Sequence, residues 1–244
     1  ALDPENPEAY KGLIKAHSAR PAPALAAIEE ALGRWPQERD FWLLKGEVVM
    51  GLGREGEARE AYVQAGQDEA EVQLHLGDEA RRQGNWAQAQ SHYEQALREG
   101  RERGRIYNAL GECLAAQGHN PEALAAFRKA AQLEPESGVA YANIGKVNLR
   151  YERSLEAVAA LEKAVELMPK QAGFWVLLGA AQAKAGKYPQ ALAAYQQVLK
   201  LQPENAQIWC DQGTALLRLG RAAEALVSYE RYLALQPAEN TLTQ

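Results

Sequence analysis

The chain has 244 residues, of which 47% are hydrophobic, and a formal net charge of -5 at pH 7. A negative net charge excludes general electrostatic attraction to nucleic acid or to an anionic membrane surface. No run of 18 or more apolar residues occurs, so the sequence predicts no membrane-spanning helix.

A 34-residue period runs through most of the chain, and it involves small, aromatic and proline residues together. A fixed period of this length indicates a stack of repeated supersecondary units, each packed mainly against its neighbours. The positions that keep the step are Ala89, Ala123, Ala157, Ala191 and Ala225; Gly77, Gly111, Gly145, Gly179 and Gly213; Tyr107, Tyr141, Trp175 and Trp209; and Pro135, Pro169, Pro203 and Pro237.

The period predicts one array over residues 1–244. In chain order its seven units are 7–38, 39–69, 70–103, 104–137, 138–171, 172–205 and 206–239. Four units depart from the pattern: Ile14 replaces the glycine in the first, the second closes early at 65–66 without the final proline, Gln73 replaces the aromatic residue in the third, and Glu152 stands where neighbours of the fifth carry glycine. The opening residues 1–4 repeat the phrase that closes later units, and Pro237 repeats a linker. We therefore expect a segment of a longer protein.

The unit over 104–137 shows how each repeat folds. Ile106, Leu110 and Leu114 recur at helical spacing, which predicts a helix with one apolar face. Gly118 predicts the end of that helix, because glycine tolerates the left-handed conformation found there. Asn120 and Pro121 then begin a second helix, and Pro135 closes it. The small residues Gly111 and Ala123 are expected where the two helices cross, since a bulky side chain there would separate them.

The pattern Trp175…Leu178-Gly179…Gly186…Ala191…Tyr195…Pro203 resembles the tetratricopeptide repeat (TPR) family, and the resemblance extends over essentially the whole chain. It implies an all-α fold, an alpha-alpha superhelix (TPR solenoid) of antiparallel helix pairs, in which the first helices line a concave groove. It also implies that the groove holds another protein, usually a short peptide or a helix, without catalysis.

The same resemblance gives the candidate partner-binding residues of the groove, one unit at a time. They are Arg82, Asn108, Val139, Ala142, Lys146, Leu149, Arg150, Val176, Ala180, Lys184, Cys210, Thr214, Leu217 and Arg218. The earlier units offer mixed charge on this surface, whereas the later ones offer an apolar floor with a basic edge.

Arg150, Lys184 and Arg218, which we call the basic ladder, recur at the 34-residue step. A basic ladder beside an apolar floor suits an amphipathic or extended segment with acidic residues. The alternative is that basic residues late in a helix merely complement its dipole.

Other motifs point away from catalysis. Residues 51–56 spell G-x-G-x-x-G, but they follow a predicted helix rather than a strand, so they predict a turn and not a dinucleotide site. His17, His75, His92 and His119 are scattered without ligand spacing, and no metal site or cofactor is expected. The carboxylates are expected on exposed helical faces beside Lys or Arg, with no acid–base pair among them.

Two further features are more simply explained by structure than by function. Cys113 and Cys210 lie almost three units apart, so no disulfide is expected, and Cys113 is expected to pack as a small hydrophobic residue. The arginine-rich stretch 98–105 is either a patch for phosphate or an acidic protein, or a solvated turn balanced by Glu99 and Glu102.

The expected function is a non-catalytic protein-interaction scaffold within a larger, bacterial assembly, with exopolysaccharide export suggested by the family alone. The alternatives are the substrate-recognition region of an enzyme whose catalytic domain lies outside this segment, and a structural solenoid that self-associates through uncapped ends. The partner is expected to be a protein or peptide, not nucleic acid. The compartment stays open between periplasm and cytoplasm, and only the family favours the periplasm.

Overall fold

The computed structural model describes residues 6–17, 19–100 and 103–236. Over these residues the fold is all-α, with 14 helices and no strand. The chain forms two compact units, and the boundary between Ala123 and Leu124 falls inside the eighth helix. The predicted closing phrase at 1–4 and the linker at Pro237 lie outside the described residues.

The helices of the first unit come in chain order with short connections. They are α1 (Pro7–Ala16), α2 (Pro21–Arg34), α3 (Arg39–Gly51), α4 (Glu55–Gln64), α5 (Glu69–Arg82), α6 (Trp86–Arg98) and α7 (Gly104–Ala116), followed by α8 (Asn120–Leu133), which crosses the boundary.

The second unit continues with helices of nearly constant length. They are α9 (Gly138–Arg150), α10 (Ser154–Leu167), α11 (Ala172–Lys184), α12 (Tyr188–Leu201), α13 (Ala206–Arg218) and α14 (Ala222–Leu235). The helices α9, α11 and α13 begin at steps of 34 residues, as the sequence period requires.

Consecutive helices pack against one another from α1 to α7 and again from α9 to α14, as α5 does on α6 and α11 on α12. Because the connections are so short, consecutive helices must run antiparallel. First helices also contact one another, α3 with α5 and α9 with α11. The predicted all-α architecture of antiparallel helix pairs is therefore confirmed.

The turns inside the pairs use the left-handed backbone conformation. Gly118 has a φ of 85° and Gly186 a φ of 74°, as the helix-ending role predicted for Gly118 requires. Gly53, at a φ of 76°, lies in the turn between α3 and α4, so the G-x-G-x-x-G stretch is a connection between helices. In α9–α10 the same turn is made by Glu152, whose φ is 57°.

The small residues have a more specific role than the sequence indicated. A Cβ atom added to Gly77 would lie 2.8 Å from Cε1 of Tyr93, and one added to Gly213 would lie 2.9 Å from Cε1 of Tyr229. The glycine thus makes room for the ring that stands 16 residues later, on the second helix of the pair. The periodic alanines, such as Ala89 and Ala191, are fully buried beside it.

A hydrogen bond that the sequence analysis missed fixes three first helices to the linkers before them. The indole nitrogen of Trp42 donates to the carbonyl oxygen of Pro36 at 2.8 Å, and Trp175 donates to Pro169 at the same distance. Trp209 donates to Pro203 at 3.0 Å. The signal was present in the sequence as a proline six residues before a tryptophan.

Each unit has its own apolar core. In the first unit, one cluster joins Tyr10 and Ile14 of α1 to Ile28 of α2 and Phe41 of α3. In the second, Leu192 and Val198 of α12 pack with Ile208 and Leu216 of α13. Full burial of a side chain of this size contributes about 1.5–3 kcal/mol, so packing between successive helices holds each unit together.

Candidate functional site

The predicted groove residues fall into two groups. Arg82 on α5 and Asn108 on α7 belong to the first unit, and the other twelve lie on α9, α11 and α13 of the second. The twelve side chains on α9, α11 and α13 are called the first-helix face below.

Several charges on the first helices of the first unit are paired with one another. The guanidinium of Arg82 lies 2.8 Å from a carboxylate oxygen of Glu79, and Asn108 donates to Glu112 at 3.0 Å. Arg81 reaches Glu112 at 3.1 Å, and Lys11 reaches Asp40 at 2.5 Å. These groups already satisfy each other, so a partner would have to displace existing contacts to use them.

Asp78 is the centre of this pairing. It accepts a hydrogen bond of 2.7 Å from the hydroxyl of Tyr93 and is also bound by Arg105. Burial, followed by the charge of Asp78, raises the pKa of Tyr93, which therefore stays a neutral donor. The described part of the arginine-rich stretch thus contributes Arg105 to an internal contact, while residues 101 and 102 lie outside the described chain.

Glu79 corrects the expectation that the carboxylates lie on exposed faces. It is buried, and its carboxylate is held by Arg82 and by the amide of Gln83 at 3.2 Å. A buried carboxylate needs such partners, because an unpaired charge away from water is costly. The contacts come from its own helix and the residue that follows it, so the role of Glu79 is structural.

The first-helix face of the second unit carries exposed apolar side chains. Val139 and Leu217 are exposed, and Leu149 and Val176 are half-buried because they also pack against core clusters. Ala142 must be removed from the site: it is 3% exposed and lies in the buried cluster with Leu178 and Ala181 of α11. Ala180 stays partly accessible.

The cations of this face differ from Lys11, Arg81 and Arg82 of the first unit, which are held by carboxylates. Lys146, Lys184 and Arg218 are exposed and form no ion pair with any residue that the structure describes, and Arg150 is exposed as well. Asp211 is the one acidic residue in the sequences of α9, α11 and α13, and it accepts a hydrogen bond from Gln207 at 2.9 Å. The face therefore carries net positive charge.

The positions of the basic ladder also fit the alternative explanation, in which late basic residues complement the helix dipole. Arg150, Lys184 and Arg218 each stand in the last turn of their helix, where a cation complements the helix dipole. The dipole interaction is worth about 0.3–1 kcal/mol at an exposed site and does not occupy the hydrogen-bond donors of the cation. A cation of the basic ladder can therefore complement the helix dipole and bind an acidic partner at the same time.

Cys210 and Thr214 add a polar element at α13. The hydroxyl of Thr214 lies 3.1 Å from the carbonyl oxygen of Cys210 and 3.1 Å from the hydroxyl of Tyr229, and Cys210 is partly exposed. Cys113, by contrast, is buried, and burial raises the pKa of its thiol to about 11. Both cysteines are free, and Cys113 packs as the small hydrophobic residue that the sequence predicted.

Two of the four histidines, His75 and His92, pack against other side chains. His92 is buried, with Nδ1 2.7 Å from the amide oxygen of Gln73, and the ring of His75 stacks on Tyr62. Among the described residues, no three His, Cys, Asp or Glu side chains gather in a way that could hold a metal ion. None of the described helices is both long and apolar enough to cross a membrane.

Solved structures with a similar fold include MamA, with a TM-score of 0.62 at 23% identity over 66% of this chain and 94% of that one. MamA from Desulfovibrio magneticus RS-1 has a TM-score of 0.66 at 22% identity over 72% of this chain and 99% of that one. YrrB, described as a TPR protein with an unusual peptide-binding site, has a TM-score of 0.64 at 21% identity, covering 70% and 88%. At this identity they show the fold alone.

Sequence comparison gives the family. No curated protein matches the chain. One tetratricopeptide repeat model matches residues 11–71, 74–138 and 181–240, and a second matches 148–210. The first of these models alone matches well over half of the chain. Together with the stacked antiparallel helix pairs, these matches establish that the chain belongs to the tetratricopeptide repeat family.

Proposed function

We propose that the chain is a non-catalytic protein-interaction scaffold and that the first-helix face of the second unit binds a peptide segment. The segment carries acidic residues beside apolar ones, and it lies in the concave groove that the family resemblance implies. It is held as an extended strand of chain or as one amphipathic helix.

The observation that supports this proposal is the set of cations without an ion pair on the described first helices of the second unit, together with the near absence of acidic residues there. In the first unit, Arg81 and Arg82 are already held by carboxylates, whereas Lys184 and Arg218 in the second have none among the described residues. Cations without an intramolecular partner attract an acidic ligand and set its orientation without first losing an existing contact.

The apolar part of the face supports the same partner. Val139 and Leu217 are exposed on the first helices that carry the cations, and they offer apolar contacts to the same segment. YrrB, which shares the fold, is described as having a peptide-binding site, and this supports a peptide as the kind of ligand.

The wider setting is also part of the proposal. We place the scaffold in a bacterial assembly, and the association of the family with envelope machines such as exopolysaccharide export is the ground for this. The net charge of -5 argues against nucleic acid as the partner. No cofactor is invoked, because the proposed binding needs none.

The test is a selection of peptides from a random display library on the immobilised chain. The affinity of the selected peptides is then measured for the wild type and for the triple charge reversal Arg150→Glu, Lys184→Glu and Arg218→Glu. A matched control reverses Lys170, Lys200 and Arg231, which are exposed and lie outside α9, α11 and α13. Both variants change the net charge by the same amount.

We expect the selected peptides to be rich in Asp, Glu and apolar residues. The ladder reversal should weaken binding about 10- to 100-fold, since three partly exposed ion pairs are each worth up to about 1 kcal/mol. The control should bind nearly as the wild type does. An equal loss of peptide affinity in both variants would mean that only the net charge matters. Unchanged affinity in the ladder variant would contradict the proposal.

A further inference from the structure

A cavity of about 400 Å³ is lined by two second helices, α12 and α14, and by the first helix α13 that lies between them. Its apolar walls include Leu192 of α12, Trp209 and Leu216 of α13, and Val227 of α14. Arg218 stands two residues after Leu216, so the basic ladder lies on the opposite side of α13. A cavity of this volume is large enough to bind a ligand, and it is separate from the first-helix face.

Two buried residues of the lining are polar where the preceding repeat is apolar. Gln212 and Ser228 are 9% and 3% exposed, and both line the cavity. The positions 34 residues earlier carry Leu178 and Ala194, which lie together in an apolar cluster. Buried polar groups cost free energy unless they are hydrogen-bonded, so this change from the repeat pattern requires a chemical reason.

Ser228 binds one end of the Gln212 amide and leaves the other end available. The hydroxyl of Ser228 donates to Oε1 of Gln212 at 3.1 Å. Nε2 of Gln212 forms no hydrogen bond with any residue in the described part of the chain. A primary amide carries two N–H donors on this nitrogen. Gln212 therefore offers buried, neutral donors to a molecule in the cavity.

The charges of the lining do not add to this attraction. Arg221 is the one cation among the described residues of the lining, and Glu224 accepts hydrogen bonds of 2.7 and 2.6 Å from it. A carboxylate that entered the cavity would lose its water without finding an available cation.

A purely apolar side chain is also a poor ligand. A leucine or phenylalanine side chain from a partner would fill the apolar part of the cavity, but it would leave Nε2 of Gln212 buried and unpaired, which is unfavourable. The cavity thus calls for an uncharged side chain with an apolar body and an oxygen acceptor at its end. Tyrosine has this combination, since its ring is apolar and its hydroxyl oxygen accepts a hydrogen bond.

We propose that this cavity, which we call the Gln212 cavity, binds a tyrosine side chain of a partner protein. The phenol oxygen accepts a hydrogen bond from Nε2 of Gln212, and the ring lies against Leu192, Trp209 and Leu216. The indole of Trp209 is held in place by its hydrogen bond to Pro203. The chain then has a second protein-binding site, whose ligand differs in chemistry from the acidic segment proposed for the first-helix face.

The experiment is an NMR titration of the isotope-labelled 244-residue chain with two small probes. N-acetyl-tyrosinamide and N-acetyl-phenylalaninamide differ only in the phenol hydroxyl. The tyrosine probe should shift the indole N–H signal of Trp209 and the side-chain amide signal of Gln212. It should also bind about 10-fold more tightly than the phenylalanine probe, because only tyrosine satisfies the buried amide.

The main variant combines Gln212→Leu with Ser228→Ala. It restores the residue types of Leu178 and Ala194 in the preceding repeat, so it should remain folded, which urea unfolding checks. The affinity for the tyrosine probe should fall about 10-fold, and the preference over phenylalanine should disappear. Gln207→Leu is the matched control on the same helix, because Gln207 is exposed and lies outside the cavity, and it should bind like the wild type.

Three results would overturn the proposal. The first is a wild type that binds neither probe or binds both equally. The second is a double variant that keeps the preference for tyrosine. The third is a Gln207→Leu variant that loses as much affinity as the double variant. Charge reversal of the basic ladder should leave the affinity for the tyrosine probe unchanged, so this test is independent of the test of the first-helix face.

Discussion

Glu152 adopts a φ of 57°, in the left-handed region where glycine serves the neighbouring turns at Gly118 and Gly186. For a residue with a Cβ atom, this conformation costs about 1–2 kcal/mol. Glu152→Gly should therefore raise the free energy of unfolding by about 1 kcal/mol, after the greater unfolded-state entropy of glycine is subtracted. The measurement is the midpoint of urea-induced unfolding.

The reverse change provides the control for this turn. Gly186 has a φ of 74° with no atom near the site of an added Cβ, so Gly186→Ala introduces the same backbone strain without a clash. It should lower the free energy of unfolding by a similar amount, which appears as a lower urea midpoint. If Glu152→Gly also lowered the midpoint, the left-handed conformation of Glu152 would not be a source of strain.

His92 should make the stability of the protein depend on pH. It is buried between Gln73 and Glu55, with Nε2 3.7 Å from a carboxylate oxygen of Glu55. Burial lowers its pKa and the charge of Glu55 partly opposes this, so the folded state favours the neutral ring. Its stabilising contribution is then complete above the unfolded pKa of about 6.5 and is lost as the pH falls through that value.

The prediction concerns how steeply the free energy of unfolding changes with pH in the wild type and in His92→Gln. Between about pH 7 and about pH 5, the free energy of unfolding of the wild type should fall more than that of His92→Gln. His75 contributes in the same direction, because burial lowers its pKa too, and it is present in both proteins. Urea unfolding at each pH measures the slopes. Identical slopes would show that His92 does not titrate differently in the folded and unfolded states.

At the scale of one helix, α11 contains two glycines with opposite expected behaviour. A Cβ on Gly179 would overlap the ring of Tyr195, whereas one on Gly173 would meet no atom within 4 Å. Gly179→Ala should therefore destabilise by about 1–3 kcal/mol through forced repacking. Gly173→Ala should stabilise by about 0.5–1 kcal/mol, because alanine favours the helix.

Urea unfolding of the two variants tests whether glycine serves close packing at this position. A destabilised Gly173→Ala would indicate a contact that the structure lacks. A neutral Gly179→Ala would show that Tyr195 moves aside at little cost, and the period of glycines would then need another explanation.

The helix pairs could be predicted because their signals are local. Gly118 and Gly186 end helices by their own backbone preference, and each apolar face is read from residues three or four apart. The packing partners could not be predicted in this way. The ring of Tyr93 reaches Gly77 across the pair, and Ala142 is covered by Leu178 and Ala181 from another pair, so these contacts depend on the geometry between helices.

The candidate site could be predicted in outline for the same reason. Helical spacing brings Lys184 to the end of α11 and Arg218 to the end of α13. The sequence also showed mixed charge in the earlier units. It did not show that Asp78 joins Tyr93 to Arg105, or that Glu79 is buried, because each pairing requires the positions of several side chains at once.

On the scale of the whole molecule, the proposed function uses one surface, the first-helix face of the second unit. Charge reversal of the basic ladder should therefore weaken peptide binding, whereas Leu155→Glu, at an exposed residue of α10, should leave peptide affinity unchanged. Peptide titration of the two variants tests this difference.

The alkylation rate of Cys210 reports directly on whether a peptide covers the first-helix face. It is partly exposed on the first-helix face, while the other thiol, Cys113, is buried, and burial raises its pKa and so lowers its reactive thiolate fraction. A selected peptide should slow the alkylation of Cys210 several-fold. In a control protein that combines Cys210→Ala with Ala193→Cys, the thiol is moved to an exposed position on α12, and the peptide should not affect its alkylation. An unprotected Cys210, together with protection of the relocated thiol in the control, would place the peptide elsewhere and contradict binding on the first-helix face.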